Sequence, residues 1–157
     1  MQKGAQLAEI PILSPEWSLS FLIRLHADTA SMAGDDYCNL VHLTKQNHGG
    51  QYGDRTPLIS VKKPTRKLHI ASSISGSTNH LWENLALNIN ETYKIEVRQR
   101  YISNGNYRYF IKIDGQEGYS VVNTDARQFY NIKVYASGPF RDACPAYIKD
   151  LELTNFL

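Results

Sequence analysis

The sequence predicts an all-β protein: a single antiparallel sandwich or barrel that spans residues 1–157. Three observations predict this fold. Apolar and polar residues alternate with a period of two over most of the chain. Turn residues separate these short runs at regular intervals, and no helices intervene. The 157 residues, 42% of them apolar, suffice for one core and show no repeat or linker. We expect residues 1–14 to form an edge strand or an arm.

The first clear strand runs from Trp17 to His26. Its apolar residues fall on one face, and its polar residues fall on the other face apart from the interruption at Leu22. This alternation is typical of a strand with one face buried. The apolar face comprises Trp17, Leu19, Phe21, Ile23 and Leu25.

The middle of the chain predicts three more short strands. They are Tyr37 to Thr44, Leu58 to Lys62 and Lys67 to Ile74, and a polar, glycine-rich loop at 46–55 follows the first of them. Residues 75–79 read as another loop. Only His80 to Ile89 is a candidate helix, although its apolar residues lack a clean helical period.

The clearest unit is a β-meander from Tyr93 to Val122. An Asn104-Gly105 turn and an Asp114-Gly115 turn divide it, and such dipeptides are strong hairpin signals. Two further strands, Phe129 to Ala136 and Tyr147 to Leu153, complete the pattern. Strands in this number without helices favour a sandwich or a barrel.

Composition argues against several functions. Seventeen Lys and Arg against fifteen Asp and Glu give a net charge of +2, without a basic tail, which disfavours nucleic acid as a partner. No apolar run approaches the roughly 18 residues of a membrane span. The first residues show no apolar signal-peptide core.

Two cysteines, Cys38 and Cys144, exclude a disulfide-dense small fold and a four-cysteine metal site. They form either one bridge or two buried thiols. A bridge would place the protein outside the reducing cytosol, and on that basis we favour an extracellular location. The five histidines show no metal-ligand spacing, so we predict no metal site from them.

The order of the segments resembles the concanavalin A-like lectin/glucanase superfamily, over roughly residues 15–157. Two motifs carry this resemblance: Val134-Tyr135-Ala136-Ser137-Gly138-Pro139 and Ala146-Tyr147-Ile148-Lys149-Asp150-Leu151. They are nearest to the laminin-G-like jelly-roll domains of invertebrate secreted and adhesive proteins. The resemblance implies a single antiparallel β-sandwich of jelly-roll type in which these two late strands lie side by side. It also implies that the sandwich binds sugar or protein without chemistry of its own.

The loop at 46–55 is the first candidate binding site. Tyr52 offers a flat ring for stacking, and neighbouring polar side chains offer hydrogen bonds to sugar hydroxyls. The alternative is a structural loop in which Asp54 and Arg55 pair with each other or bind neighbouring backbone groups. The predicted ligand-binding residues here are Asn47, His48, Tyr52, Asp54 and Arg55.

The polar face of the meander is the second candidate. Arg98, Arg100 and Arg108 are predicted to stand on one surface, where guanidinium groups match sulfate or carboxylate groups. The alternative is an ordinary charged face exposed to solvent.

The sequence gives less support to catalysis or metal binding than to ligand recognition. Asp150 and Glu152 have the alternate spacing of glucanase carboxylates, but no third carboxylate follows. No catalytic residue and no resident cofactor is therefore predicted. Calcium stays open as an alternative, because the resembled superfamily often binds it through loop carboxylates such as Asp28, Asp54 and Asp125.

We therefore predict a non-catalytic, lectin-like recognition module that binds an extracellular glycan or glycoprotein. The alternative is a structural or adhesive sandwich that mediates protein–protein assembly, and self-association is open in either case.

Overall fold

The computed structural model describes residues 1–157 and contains eleven β-strands. No helix of the length and hydrophobicity needed to cross a membrane is present. The strands in chain order are β1 Ala5–Leu13, β2 Trp17–Leu25, β3 Tyr37–Thr44, β4 Leu58–Lys62, β5 Lys67–Ile74, β6 Ser77–Ala86, β7 Thr92–Ser103, β8 Asn106–Ile113, β9 Gln116–Asn123, β10 Phe129–Ala136 and β11 Ala146–Asn155.

The strands form two antiparallel sheets that pack face to face. One sheet has six strands in the order β1-β10-β3-β4-β5-β6, and the other has five in the order β11-β2-β7-β8-β9. The predicted all-β jelly-roll sandwich is therefore confirmed. Four strands, β1, β6, β9 and β11, lie at sheet edges.

The core lies between the sheets and follows from the alternation in the sequence. All five apolar side chains of one face of β2 are at most 2% exposed. They join a cluster of 25 buried residues drawn from both sheets. Each fully buried side chain of Leu or Phe size contributes roughly 1.5–3 kcal/mol to folding, so this face fixes the position of β2.

The candidate helix at 80–89 is wrong, because this segment is mostly strand β6. A tight turn at Ser75 and Gly76, both with positive φ, sends the chain back along β5. Trp82 then pairs with Ile70. Pairing with an existing strand outweighs an indistinct local pattern, and the loop expected at 75–79 shrinks to this turn.

The two predicted hairpin turns are present. Asn104 and Gly105 have φ of 50° and 77°, and Asp114 and Gly115 have φ of 51° and 82°. Positive φ at both central residues is the requirement of a tight two-residue hairpin, which explains these dipeptides.

The expectation that the two late strands lie side by side is wrong. β10 pairs with β1 and β3, whereas β11 pairs with β2 in the opposite sheet. The chain between them, residues 137–145, crosses from one sheet to the other. This crossing segment shapes the candidate site.

Candidate functional site

The outer face of the six-stranded sheet carries a row of polar side chains. Cys38 points into the core, so its neighbour Asn39 points outward, and it lies beside Ser60 and then His69 along the sheet. Ser60 Oγ donates to Asn39 Oδ1 at 2.9 Å, and His69 Nδ1 lies 2.9 Å from Glu83 Oε2. Although this face points away from the core, Asn39, Ser60 and His69 are all buried.

A segment we call the strap, residues 137–144, covers part of this row. Ser137 donates to the carbonyl of Leu40, and Asn39 donates to the carbonyl of Asp142. Cys38 and Cys144 form a disulfide bridge, the alternative in which these cysteines pair. The bridge fixes the end of the strap against β3.

The strap places an aromatic and a cationic side chain over the sheet. The Phe140 ring lies 6.1 Å from the His42 ring and 5.7 Å from the His48 ring, and Phe140 remains 39% exposed. The Arg141 guanidinium lies 4.8 Å from the centre of the Tyr37 ring. The Arg141 side chain is only 12% exposed.

The glycine-rich loop forms the facing wall. Arg55 Nε donates to the carbonyl of His48 at 3.0 Å, and Arg55 Nη1 donates to Asn79 Oδ1 at 2.6 Å. A side chain at Gly49 would approach Arg55 Nε within 2.9 Å, so glycine leaves room for the guanidinium. We call Asn39, His42, His48, Arg55 and Arg141 the strap cluster.

Hydrogen bonds determine the protonation of both cluster histidines. His42 Nε2 lies 2.7 Å from the carbonyl of Asp54, so it carries a proton, and Nδ1 is an acceptor. His48 Nε2 accepts from Arg55 Nη2 at 3.2 Å, so its proton lies on Nδ1. Burial lowers the pKa of each histidine to about 4, and the cations Arg55 and Arg141 add to this effect. Both imidazoles are therefore neutral near pH 7.

The strap cluster contains five of the six buried side-chain nitrogens that lack a hydrogen-bond partner. Four are donors, and the exception is the acceptor Nδ1 of His42. An unsatisfied buried polar group costs about 1–3 kcal/mol, so five in one place are unusual. The four donors are Asn39 Nδ2, His48 Nδ1, Arg141 Nε and Arg141 Nη1.

The strap cluster contains two cationic side chains in addition to its unpaired hydrogen-bond donors. Burial lowers the pKa of both Arg55 and Arg141, and Arg141 lowers the pKa of Arg55 further. Asp54 and Asp35 partly oppose these effects, and Asp35 Oδ2 lies 3.5 Å from Arg141 Nε with its side chain 56% exposed. Asn39 Nδ2, His48 Nδ1 and Arg141 Nη1 remain without an acceptor.

Tyr52 packs and hydrogen-bonds against neighbouring segments, and these contacts hold the glycine-rich loop in place. Its hydroxyl donates to the carbonyl of Asp125 at 2.6 Å, and the Arg127 guanidinium lies 4.1 Å from the ring centre. The ring also lies 6.0 Å from Phe129. One face of Tyr52 is thus occupied, which favours the structural alternative for this residue.

Asp54 is 1% exposed and ties the loop together. Its two oxygens accept from the backbone of Asn47 at 3.4 Å and of Gln51 at 3.0 Å. The side chain of Asn47 lies in an exposed part of the loop. Of the predicted loop residues, His48 and Arg55 lie together with the strap. Asp54 is buried and holds the loop backbone in place through its two hydrogen bonds.

The predicted arginine patch forms, but each cation meets a carboxylate. Arg98, Arg100 and Arg108 share the outer face of the five-stranded sheet. Arg98 binds Glu96 at 2.9 Å, Arg100 binds Glu16 at 3.2 Å, and Arg108 binds Glu117. Arg100 and Arg108 also cover the rings of Phe156 and Phe110. These ion pairs reduce the capacity of the patch for an anionic ligand.

The carboxylates weighed for catalysis and for calcium are dispersed. A bulge at Asp150, whose φ is 55°, breaks the alternation expected of Asp150 and Glu152. Asp28 binds the backbone of Ala30 and the side chain of Arg66, and Asp125 binds Arg127. No three His, Cys, Asp or Glu side chains converge as a metal site.

Sequence reasoning missed Asn39, His42, Phe140 and Arg141. Two signals were available: polar residues inside the otherwise apolar strand β3, and a cysteine that follows Phe140 and Arg141 closely. Neither signal shows which outer face the strap covers, because that depends on long-range pairing.

Comparison with known proteins identifies the fold. No protein-family model matches this sequence, and no curated protein matches it. Among solved structures, the pentraxin of Limulus polyphemus has 11% identity and a TM-score of 0.61, covering 94% of this chain and 67% of its own. Alginate lyase Aly36B, solved with an alginate tetrasaccharide, has 14% identity and a TM-score of 0.60, covering 94% and 72%.

A laminin fragment shares the fold as well. Domains LG4-5 of the mouse laminin α1 chain have 12% identity and a TM-score of 0.58, covering 97% of this chain and 40% of the fragment. The chain therefore has the same jelly-roll β-sandwich fold as these solved structures. Binding modules and lyases both occur on this fold, so function has to be argued from the site.

Proposed function

We propose that this protein is a non-catalytic, lectin-like recognition module that binds an extracellular glycan or glycoprotein through the strap cluster. The observation that carries the proposal is the set of buried donors without acceptors in that cluster, Asn39 Nδ2, His48 Nδ1 and Arg141 Nη1. A ligand rich in oxygen acceptors supplies what these donors lack. The exposed ring of Phe140 beside them offers an apolar surface to a sugar ring.

The charge of the cluster indicates an acidic glycan. Two guanidinium groups with lowered pKa gain most from a carboxylate or sulfate, which guanidinium binds in a forked geometry. Alginate, the ligand of the similar lyase, is an acidic polysaccharide of this kind. The likeness to that lyase shows the fold alone, and the buried donors and cations of the strap cluster are what favour an acidic ligand.

Several contacts support binding without catalysis. His42 and His48 have a pKa of about 4, lowered chiefly by burial, so they are poor proton acceptors at neutral pH. Glu83 pairs with His69 and Lys62, and Asp54 accepts two backbone N–H groups. The carboxylates of Glu83 and Asp54 are thus already engaged within the protein.

The disulfide bridge supports an extracellular location. Bridges such as Cys38–Cys144 persist in oxidising compartments and are rare in the reducing cytosol. A glycan or glycoprotein on a cell surface or in a matrix is then the available partner.

A glycan array, run with calcium and with a chelator, tests this function. We expect retention of uronate- or sulfate-bearing glycans under both conditions. Arg141→Gln should lose this retention, whereas Arg100→Gln, on the opposite sheet, should keep it. Retention that disappears with Arg100→Gln alone would assign binding to the arginine patch instead.

A structural or adhesive role is the second candidate, and one observation favours it. An apolar groove of about 410 Å³ runs between the edge strands β1 and β11 and is lined by Leu7, Ile10, Leu151 and Leu153 among others. Pro11 and the bulge at Asp150 interrupt these two edges, which opposes strand pairing there. Sedimentation equilibrium tests this role: a dimer that Leu7→Glu dissociates would support assembly through the groove.

A further inference from the structure

A second groove opens on the other side of the sandwich, between the edge strands β6 and β9. It has a volume of about 380 Å³, within the range of small-ligand sites. Trp82 and Tyr93 contribute aromatic surface, and Ile113 adds an aliphatic side chain. Trp82 is only partly buried, although it packs against the core.

Gly118 keeps the indole of Trp82 uncovered. A side chain at this position would begin 3.6 Å from Trp82 Cζ2. The backbone of Gly118 has no positive φ, so its conformation does not require glycine. Glycine within a strand often marks a place where a ligand approaches closely. Glycine at position 118 therefore leaves space beside the Trp82 indole and is not required by the backbone conformation.

Polar groups surround this aromatic surface. Gln116 is exposed and makes no side-chain hydrogen bond within the protein. Asn84 uses its Oδ1 on the backbone of Leu85, which leaves its amide N–H groups available. Asp114 uses Oδ1 on the backbone of Lys94, which leaves Oδ2 available. These amide and carboxylate groups have the donors and acceptors that bind hydroxyl groups.

The charge of the groove differs from that of the strap cluster. No lysine or arginine lines it; of its two carboxylates, Glu117 pairs with Arg108, whereas Asp114 keeps Oδ2 available. Carboxylates repel an acidic sugar but accept hydrogen bonds from a neutral one. We propose that this groove is a second binding site, which takes an uncharged sugar with its C–H face stacked on the Trp82 indole.

The site goes beyond the proposed function, because it uses other residues and another class of glycan. A glycan with both acidic and neutral units would engage two separated surfaces, and the effective concentration of the second contact would raise its affinity. Each surface nevertheless binds its own ligand alone, so one proposal can fail while the other holds.

The test is an NMR titration with uncharged tetrasaccharides, namely β-1,4-glucan, β-1,3-glucan, β-1,4-galactan and β-1,4-mannan. The chain has two tryptophans, and Trp17 is 2% exposed, so the indole N–H signal of Trp82 reports on the groove. Trp82→Phe assigns the two signals. We expect at least one probe to shift the Trp82 signal and not the Trp17 signal.

Gly118→Val supplies the decisive variant, because a valine side chain suits a strand and projects toward the indole. It should lower the affinity for that probe at least tenfold while the Tm stays within a few degrees. Val122→Ile, further along β9 at an exposed position outside the groove lining, is the control and should bind as the wild type does. Unchanged binding by Gly118→Val, or no Trp82 shift with any probe at millimolar concentration, would overturn the proposal. Loss through Arg141→Gln would overturn it as well, by assigning the neutral sugar to the strap cluster.

Discussion

The guanidinium of Arg141 lies 4.8 Å from the centre of the Tyr37 ring, although the two residues are far apart in the chain. Tyr37 begins β3, and Arg141 lies in the strap just before the disulfide at Cys144. Stacking on the ring holds the cation in place without consuming its N–H groups. Arg141 Nη1 is therefore buried without a hydrogen-bond partner.

Removal of the disulfide should lower stability strongly. Cys38 and Cys144 are 106 residues apart. In the chain-entropy model, a loop of about 100 residues corresponds to about 4.7 kcal/mol. Urea unfolding of the Cys38→Ala/Cys144→Ala variant should show a loss of several kcal/mol, and reductant should have no further effect on the variant. An equal midpoint for variant and wild type would show that the bridge does not form.

Stability should fall as the pH drops from about 6.5 to about 4. His42 is buried in its neutral form with a pKa of about 4, lowered chiefly by burial, whereas the unfolded chain binds a proton near pH 6.5. The unfolded state therefore gains protons first, and stability is full above pH 6.5 and lost below it. From His42 alone the loss is about 3 kcal/mol.

Urea unfolding between pH 4 and pH 7.5 measures this dependence, and NMR titration of the imidazole protons assigns it. His48 and His69 also have a pKa lowered chiefly by burial and add to the loss. A His42 signal that titrates near pH 6.5 in the folded protein would contradict the buried neutral form.

Tyr52→Phe should test whether the glycine-rich loop binds glycan through Tyr52 or uses this residue only to stabilise the fold. The substitution removes the hydrogen bond from Tyr52 to the carbonyl of Asp125 and keeps the ring. We expect a loss of about 1 kcal/mol in stability, because one hydrogen bond disappears, with unchanged glycan affinity. Tyr52→Ala should lower stability further. A variant that binds far less glycan at unchanged Tm would instead restore Tyr52 as a stacking residue.

Incubation with alginate or glucuronan should produce no unsaturated uronate. A lyase would need a base that accepts a sugar proton, and the two cluster histidines have a pKa of about 4, lowered chiefly by burial. The measurement is absorbance near 235 nm over a day at pH 7 and at pH 9. A rise that Arg141→Gln abolishes would make this protein an enzyme and contradict the proposed absence of catalysis.

The strand pattern could be predicted because alternation reports directly on one buried face. β2 and the β7–β8–β9 meander follow that rule, and their turns carry Asn-Gly and Asp-Gly. β6 could not be predicted, because Trp82 and its neighbours at a sheet edge are only partly buried and so lack a clean pattern. β11 pairs with β2 in the five-stranded sheet and not with β10, and this depends on long-range pairing that no local pattern encodes.

The candidate site was predictable only in part. His48 and Arg55 were visible because a glycine-rich polar loop stands out in the sequence. Asn39 and His42 looked like ordinary strand residues, since alternation cannot reveal that a distant segment covers their outer face. Arg98, Arg100 and Arg108 do share a face, but the carboxylates that pair with them include Glu16, which is remote in sequence.

Isothermal titration of alginate and heparin tetrasaccharides against wild type, Arg141→Gln and Arg100→Gln tests whether the strap cluster binds acidic glycans. Circular dichroism melts of the three proteins serve as the folding control. The account predicts that wild type binds at least one acidic probe, that Arg141→Gln binds it at least tenfold more weakly, and that Arg100→Gln stays within twofold. Equal affinity of Arg141→Gln and wild type, or no binding of either probe by wild type, would contradict it.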